Sequence, residues 1–143
     1  MMYLLDTNVI SEFRKASLGR ADRSVTVWAN SIPAESMFLS AVCILEMELG
    51  TLLMERRDVR QGAILRSWMD DYVLPNFATR ILVVDTTVAL RGAALQVPNP
   101  RSYRDALIAA TALVHKMTVV TRNVRDFDGT GVPILDPWQP KSS

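Results

Sequence analysis

The sequence is poor in cysteine, histidine and long apolar runs. Its single cysteine, Cys43, cannot form an internal disulfide, which is typical of a protein that folds in a reducing compartment. With one cysteine and one histidine, His115, the chain cannot supply the usual ligands of a zinc site. No apolar run reaches the length of about 18 residues that a membrane span needs, and Asp6 interrupts the place of a signal peptide's apolar segment. The sequence thus predicts a cytoplasmic protein that does not cross a membrane.

The sequence also lacks the motifs of several phosphate-binding proteins. Gly129 and Gly131 occur in DGTG, but neither GxGxxG nor GxxxxGK[ST] accompanies them, so a turn is predicted there. A haloacid-dehalogenase-like phosphatase has a second aspartate two positions after the one that ends its first strand, where this chain has Asn8. The sequence therefore predicts neither a phosphate loop nor a phosphatase of that kind.

Strand-like and helix-like segments alternate along the sequence. The composition is ordinary, since 49% of the 143 residues are hydrophobic and the net charge is +1. Five short apolar runs have the length of buried strands: 2–5, 37–40, 81–84, 117–120 and 132–135. Six segments between them have helical patterns: 9–15, 24–31, 41–56, 59–72, 86–96 and 103–116. Such alternation predicts one α/β domain with a parallel sheet between two layers of helices.

Acidic and amide side chains follow several of these strands. Asp6 ends the first strand, Glu46 lies in an otherwise apolar helix after the second, and Asp105 opens the helix before the fourth. Asn123 and Asp126 follow the fourth strand. In open α/β sheets the ligand site lies at the carboxyl ends of the strands, so these side chains are expected to converge there. Taken alone, Asp6 is equally well explained as the N-cap of the following helix.

Gathered carboxylates repel one another, and a divalent cation removes this conflict. Ligands that are all oxygen select Mg²⁺ or Mn²⁺ over Zn²⁺. A cation held this way can lower the pKa of a bound water and offset the charge of a phosphate. The pattern of acids therefore predicts phosphodiester hydrolysis.

Four stretches, LLDTNVISE, SAVCILEMELG, RDALIAATAL and TRNVRDFDGTGVPILDPW, resemble in order and spacing the motifs of the PIN-domain ribonucleases, and above all the VapC-type toxins. The resemblance runs from residue 2 to about residue 138. It implies a PIN-like three-layer α/β/α sandwich with a central, mainly parallel five-stranded sheet at 1–138, followed by a short flexible C-terminal tail at 139–143.

The resemblance also implies which residues bind Mg²⁺ or Mn²⁺ and cleave RNA. The positions that match the acids of the family are Asp6, Glu46, Asp105 and Asp126. The fourth is ambiguous, because many relatives have aspartate where this chain has Asn123. We favour Asp126 as the charged member, with Asn123 beside it.

Three further residues are predicted to support the site. The hydroxyls of Thr7 and Thr121 are expected either to bond to its carboxylates or to serve as ordinary caps. Asn8 is expected to brace the first loop through its amide. Glu48, two positions after Glu46, is predicted to be a surface residue of the helix.

In function, the resemblance implies a metal-dependent endoribonuclease that is the toxin of a type II toxin–antitoxin pair. It further implies a VapB-type antitoxin that covers the site and a toxin homodimer. Basic residues near the strand ends would guide the RNA backbone toward the acids: Arg14, Lys15, Arg20, Arg23, Arg101, Arg104, Arg122 and Arg125. The alternative is a PIN-like binding module that has lost catalysis.

Overall fold

Five parallel strands form the centre of the computed structural model, which describes residues 1–140. The strands are Tyr3–Leu5 (β1), Met37–Ser40 (β2), Ile81–Leu82 (β3), Thr118–Val120 (β4) and Ile134–Leu135 (β5). Their order across the sheet is β3-β2-β1-β4-β5. In the register of the central pairs, Leu4 of β1 lies opposite Phe38 of β2 and Val119 of β4. The strand order reverses at β1, so the end of β1 is the switch point at which α/β proteins place their sites.

Helices connect the strands and cover the sheet. They are Thr7–Ala16 (α1), Arg23–Asn30 (α2), Ala41–Arg57 (α3), Val59–Trp68 (α4), Leu74–Phe77 (α5), Thr86–Ala94 (α6) and Tyr103–His115 (α7). Because connections between parallel strands are right-handed, the helices before β3 and those before β4 lie on opposite faces. The predicted three-layer, PIN-like α/β/α fold is confirmed.

Several elements differ in length from the prediction, and the largest change is in the helical segment that begins at residue 59. A wider π turn, Met69–Val73, joins α4 to α5, so helical structure continues to Phe77 rather than ending at residue 72. The physical reason is burial, since Met69, Val73 and Phe77 follow one another at intervals of four residues in the core. The third and fifth strands are each two residues shorter than predicted, and Val83 beyond the end of the third strand is exposed.

The core lies on both faces of the sheet. Leu4 and Leu5 of β1 and Val119 and Val120 of β4 are completely buried, as expected for central parallel strands. α7 packs closely over them because its buried face is rich in small residues: Ala106, Ala109, Ala110 and Ala112. The predicted turn at DGTG is present, with positive φ angles at both of its glycines.

Side-chain oxygens cap the N-termini of six helices, and the capping residues are Asp6, Asp22, Ser40, Asp58, Asp85 and Ser102. Asp6 is therefore a cap, as its alternative interpretation predicted. No helix within residues 1–140 is long and apolar enough to cross a membrane. Residues 141–143 of the predicted C-terminal tail lie outside the described residues, so the tail and its boundary stay a prediction.

Candidate active site

Asp6 lies at the carboxyl end of β1 and is completely buried. Its backbone N–H donates to the carbonyl of Val120 at 2.9 Å, which holds it against the neighbouring strand β4. Its Oδ1 accepts a hydrogen bond of 2.7 Å from the backbone N–H of Thr7, the first residue of α1. A buried carboxylate is tolerated only when its oxygens are paired, and the cap satisfies only part of this need.

Two side chains support the other oxygen of Asp6. The Thr121 hydroxyl donates to Asp6 Oδ2 at 2.7 Å, and the Asn8 amide lies 3.4 Å from the same atom. Asn8 also donates to the Thr121 hydroxyl at 3.3 Å, and its own Oδ1 accepts from the backbone N–H of Arg122 at 3.3 Å. The structure thus brings the predicted supporting residues together, and Asn8 lies in the first turn of α1, so it ties the start of that helix, rather than a loop, to the end of β4.

Glu46 reaches the same place from α3. The Thr7 hydroxyl donates to its Oε1 at 2.7 Å, so Thr7 holds Asp6 through its backbone and Glu46 through its side chain. An oxygen of Asp6, an oxygen of Glu46 and the Cys43 sulfur all lie within 4.8 Å of one another. This spacing fits donors that share one cation.

Cys43 is a core residue, as predicted. It is completely buried, and its Sγ lies 3.6 Å from the carbonyl of Leu5. Burial raises the pKa of the Cys43 thiol to about 11, so the thiol is protonated at neutral pH. The available ligands of this cluster are therefore its carboxylates, which suit Mg²⁺ or Mn²⁺.

Asp105 joins the cluster through an arginine that precedes it directly. Both residues stand in the first turn of α7, which Ser102 caps by accepting from the backbone N–H of Asp105 at 3.1 Å. Arg104 donates from Nη1 to Asp105 at 2.9 Å, from Nε to Glu46 at 2.6 Å and from Nη2 to Asp6. One guanidinium therefore bonds to three carboxylates from three different elements.

Two opposing effects act on the pKa of Arg104. Burial favours the neutral form and lowers the pKa, but the hydrogen bonds and charges of Glu46, Asp6 and Asp105 raise it further than burial lowers it. Arg104 is therefore fully charged in the site. The sequence indicated Arg104 only as one of several basic residues near the strand ends. Its position directly before Asp105, in the first turn of a helix, was the one feature of the sequence that indicated that Arg104 would lie among the acids.

Asn123 and Asp126 lie at the same edge of the sheet but outside this cluster. Both are exposed, in or next to the short helical turn Val124–Phe127 that follows β4. The backbone N–H of Asn123 donates to the Thr121 hydroxyl at 3.0 Å, which links this turn to Asp6. The Asp126 side chain makes no ion pair with another residue of the described part of the chain. The fourth member of the site stays a prediction.

Two of the arginines that the sequence placed near the strand ends make contacts within the protein. Arg101 donates to the carbonyl of Asp128 at 3.0 Å, and the guanidinium of Arg122 lies 5.1 Å from the ring centre of Trp138. Glu48 pairs with Arg66 at 2.8 Å, away from the acids, and this hydrogen bond lowers the pKa of Glu48. The prediction that Glu48 is a surface residue is confirmed.

The comparisons with known proteins agree with this geometry. A model of the PIN domain family matches residues 3–132. The chain is 35% identical to VapC ribonuclease Y4jK of Sinorhizobium fredii, over 97% of this chain and 99% of that protein. It is 34% identical to toxin FitB of Neisseria gonorrhoeae, over 96% of this chain and 99% of FitB.

The solved structures include FitAB bound to an IR36 DNA fragment, one chain of which superposes with a TM-score of 0.86 at 35% identity and covers 99% of both chains. FitAcB from Neisseria gonorrhoeae gives a TM-score of 0.85 at 34% identity, over 96% of this chain and 99% of that one. The resemblance predicted from four motifs is confirmed, and the chain belongs to the PIN domain family.

Proposed function

We propose that this protein is a Mg²⁺- or Mn²⁺-dependent endoribonuclease that acts as the toxin of a type II toxin–antitoxin pair. The observation that carries the proposal is the meeting of Asp6, Glu46 and Asp105, from three elements, around one cationic group at the carboxyl edge of the sheet. Two relatives of similar length bear the names VapC ribonuclease and toxin FitB, which supports the reaction type and the role.

The donor set fits a hard divalent cation, and Asp6, Glu46 and Asp105 would hold it. When bound, such a cation activates water and offsets the charge that develops on a phosphate. Thr7, Asn8 and Thr121 orient the carboxylates, since their hydrogen bonds fix one oxygen of Glu46 and both oxygens of Asp6. Oriented carboxylates need no rearrangement when the substrate binds, which favours catalysis.

Asp126 is proposed as the fourth acid, with Asn123 beside it. Both side chains are exposed at the rim, one short turn beyond Thr121, so they are available to a substrate phosphate or to a cation. Only Asp126 adds negative charge, and a carboxylate binds Mg²⁺ more strongly than an amide does. Exposed arginines on the same turn, Arg122 and Arg125, would attract the RNA backbone.

A VapB-type antitoxin and a second copy of the toxin are the proposed protein partners. One face of α3 carries four exposed leucines, Leu45, Leu49, Leu52 and Leu53, which we call the leucine face. It begins next to Glu46, so a partner bound to it would also cover the acids. Exposed apolar surface of this kind marks an interaction site. The FitAB complex, the structure of a relative with a partner, supports this assignment.

The alternative function is a PIN-like binding module without catalysis. Such a module would bind a cation or RNA but would leave every RNA intact. The meeting of Asp6, Glu46 and Asp105 at the sheet edge favours the nuclease, because a module that only binds RNA has no need of a buried, oriented Asp6.

The decisive experiment compares the wild type with Asp6→Asn, both free of host nuclease, on total RNA with and without Mg²⁺. Asp6→Asn keeps the helix cap, since asparagine caps as well as aspartate, but it removes the ligand charge. Cleavage should fall to background while the circular dichroism spectrum stays native. Mapping of the cut ends identifies the target sequence.

Three further variants sharpen the result. Asp58→Asn, at the cap of α4, removes a negative charge away from the acids and should cleave like the wild type. Asp126→Asn should lower the rate by at least about tenfold, and Asn123→Ala by less. Mg²⁺-dependent cleavage that persists in Asp6→Asn would contradict the proposed site, and absence of cleavage by the wild type would contradict the nuclease assignment. Stoichiometric cation binding without cleavage of any RNA would support the binding module.

A further inference from the structure

Arg104 holds the acidic cluster together from its centre. It uses three different nitrogens, Nε, Nη1 and Nη2, and each bonds to a different carboxylate. Its backbone is fixed in the first turn of α7, beside one of those acids. Arg66 also pairs with three acids, but those acids are more exposed, whereas Arg104 pairs with the completely buried Asp6. Pairing with a buried acid of the site requires an explanation beyond general surface charge.

The oxygens that Arg104 uses are those that a cation would need. Asp6 Oδ2 is occupied by the Thr121 hydroxyl, and Glu46 Oε1 is occupied by the Thr7 hydroxyl. The guanidinium bonds to the other oxygen of each, Asp6 Oδ1 and Glu46 Oε2. The scaffold therefore holds one oxygen of Glu46 and, through the Thr7 backbone N–H as well as Thr121, both oxygens of Asp6, and Arg104 adds a bond to Asp6 Oδ1 and to the second oxygen of Glu46.

Both cations cannot occupy that centre together. A guanidinium and a divalent ion repel each other, and they would compete for the same carboxylate oxygens. The single charge of Arg104 leaves the three acids with a net negative charge, so an ion with two charges is the better counter-charge when it is present.

We propose that Arg104 is an internal counter-cation of the metal site: it occupies the centre of the acids in the metal-free protein, and a divalent ion must displace it to bind. Arg104 thus lowers the affinity of the site for Mg²⁺ and Mn²⁺ and stabilises the metal-free protein. The inference rests on the proposed function only in that the acids bind a divalent ion, and it does not depend on RNA cleavage.

The test measures metal binding, by calorimetric titration of Mn²⁺ and Mg²⁺ into the purified, chelator-treated chain. Arg104→Gln removes the competing charge and should bind Mn²⁺ at least about tenfold more tightly than the wild type. Arg104→Lys keeps a charge but cannot span three acids with a rigid fork, so its affinity should lie between the two. Arg91→Gln, which removes an exposed charge on α6, should change the affinity by less than about threefold.

Thermal unfolding gives a second, independent measurement. In the presence of a chelator Arg104→Gln should unfold at a lower temperature than the wild type, since its acids lack a counter-charge. Saturating Mn²⁺ should raise its unfolding temperature more than that of the wild type, because tighter binding stabilises more.

Equal or weaker Mn²⁺ binding by Arg104→Gln would overturn the inference, and so would the absence of binding in every variant. If Arg104→Gln does not fold, Arg104→Lys decides in the same titration, since it too must bind more tightly than the wild type. These outcomes are separate from those of the nuclease assay. Tighter binding by Arg104→Gln supports the inference even if no RNA is cleaved, and unchanged binding refutes it even if RNA is cleaved.

Discussion

At the scale of single residues, several side chains of the site each make more than one hydrogen bond or ion pair. Asp6 caps α1, accepts a hydrogen bond from Thr121 and pairs with Arg104, all from a completely buried position. Thr121 is equally connected, since its hydroxyl donates to Asp6 and accepts from both the Asn8 amide and the backbone of Asn123. Substitutions at such residues act on stability and on the site together.

Thr121→Val tests this connection. Valine has nearly the shape of threonine, but it lacks the hydroxyl and leaves Asp6 Oδ2 with only the long contact to Asn8. Loss of a buried partner of a charged group should lower the free energy of unfolding by about 1–3 kcal/mol. Urea denaturation measures this change.

Thr111→Val is the matched control for this substitution. Thr111 is also completely buried, but its hydroxyl donates at 2.7 Å to the Leu107 carbonyl of its own helix, a group that the helix already satisfies. The cost should therefore be below about 1 kcal/mol. Equal destabilisation by both variants would mean that the Thr121 hydroxyl has no special role.

The sequence allowed the three acids of the cluster to be predicted but not the contacts of Arg104. Asp6, Glu46 and Asp105 are fixed in space by the elements on which they stand, and element positions follow from hydrophobic periodicity. An arginine side chain has many conformations, so its partners depend on what lies within reach after folding. Asp126 lies on an exposed turn, and hydrophobic periodicity does not predict where a side chain on such a turn points.

At the scale of elements, α3 and α4 pack so closely that one position of α4 has no room for a side chain. Gly62 of α4 faces the backbone of α3, and a Cβ added there would lie 2.8 Å from the backbone nitrogen of Glu55. Arg66 of α4 also pairs with Glu48 and Glu55 of α3. The absence of a side chain at Gly62 is thus what allows the two helices to approach.

Gly62→Ala should destabilise the protein by about 1–3 kcal/mol, because the added methyl group forces α3 and α4 apart. Gly50→Ala is the control, since Gly50 is exposed in α3 and an added Cβ there meets nothing within 4 Å. That change should stabilise the protein by about 0.5–1 kcal/mol through the helix propensity of alanine. Thermal unfolding of both variants measures the difference, and a shift in the same direction for both would refute this account of the packing of α3 and α4.

The predicted elements are nearly all present, because periodicity and length identify a strand or a helix without knowledge of its neighbours. The order of the strands and the π turn at Met69–Val73 were not predictable in this way. Strand order depends on which helices cover which face. The wider π turn is stabilised by burial, because it keeps Val73 and Phe77 in the core.

At the scale of the whole molecule, the leucine face is an apolar surface that no other part of residues 1–140 covers. Leu49→Glu should leave the stability of the toxin nearly unchanged, because this leucine is half exposed. It should weaken binding of the VapB-type antitoxin by at least about tenfold, since a charge would be buried in the interface.

The measurement is growth on expression. Wild-type toxin alone should arrest growth, and co-expressed antitoxin should restore it, whereas Leu49→Glu should escape neutralisation. Leu90→Glu, at an exposed residue of α6, is the control and should be neutralised normally. Harmless expression of the wild type without antitoxin would count against the toxin role, and normal neutralisation of Leu49→Glu would place the antitoxin elsewhere.

The adjacency of Arg104 and Asp105 has a consequence for the order of events in the life of the protein. Since the chain supplies its own positive charge to the acids, the site can take its final shape during folding, before any ion arrives. Folding and metal binding then become separate steps. Under the metal dependence proposed above, free divalent ions activate a molecule that has already folded, and they do not decide whether it folds.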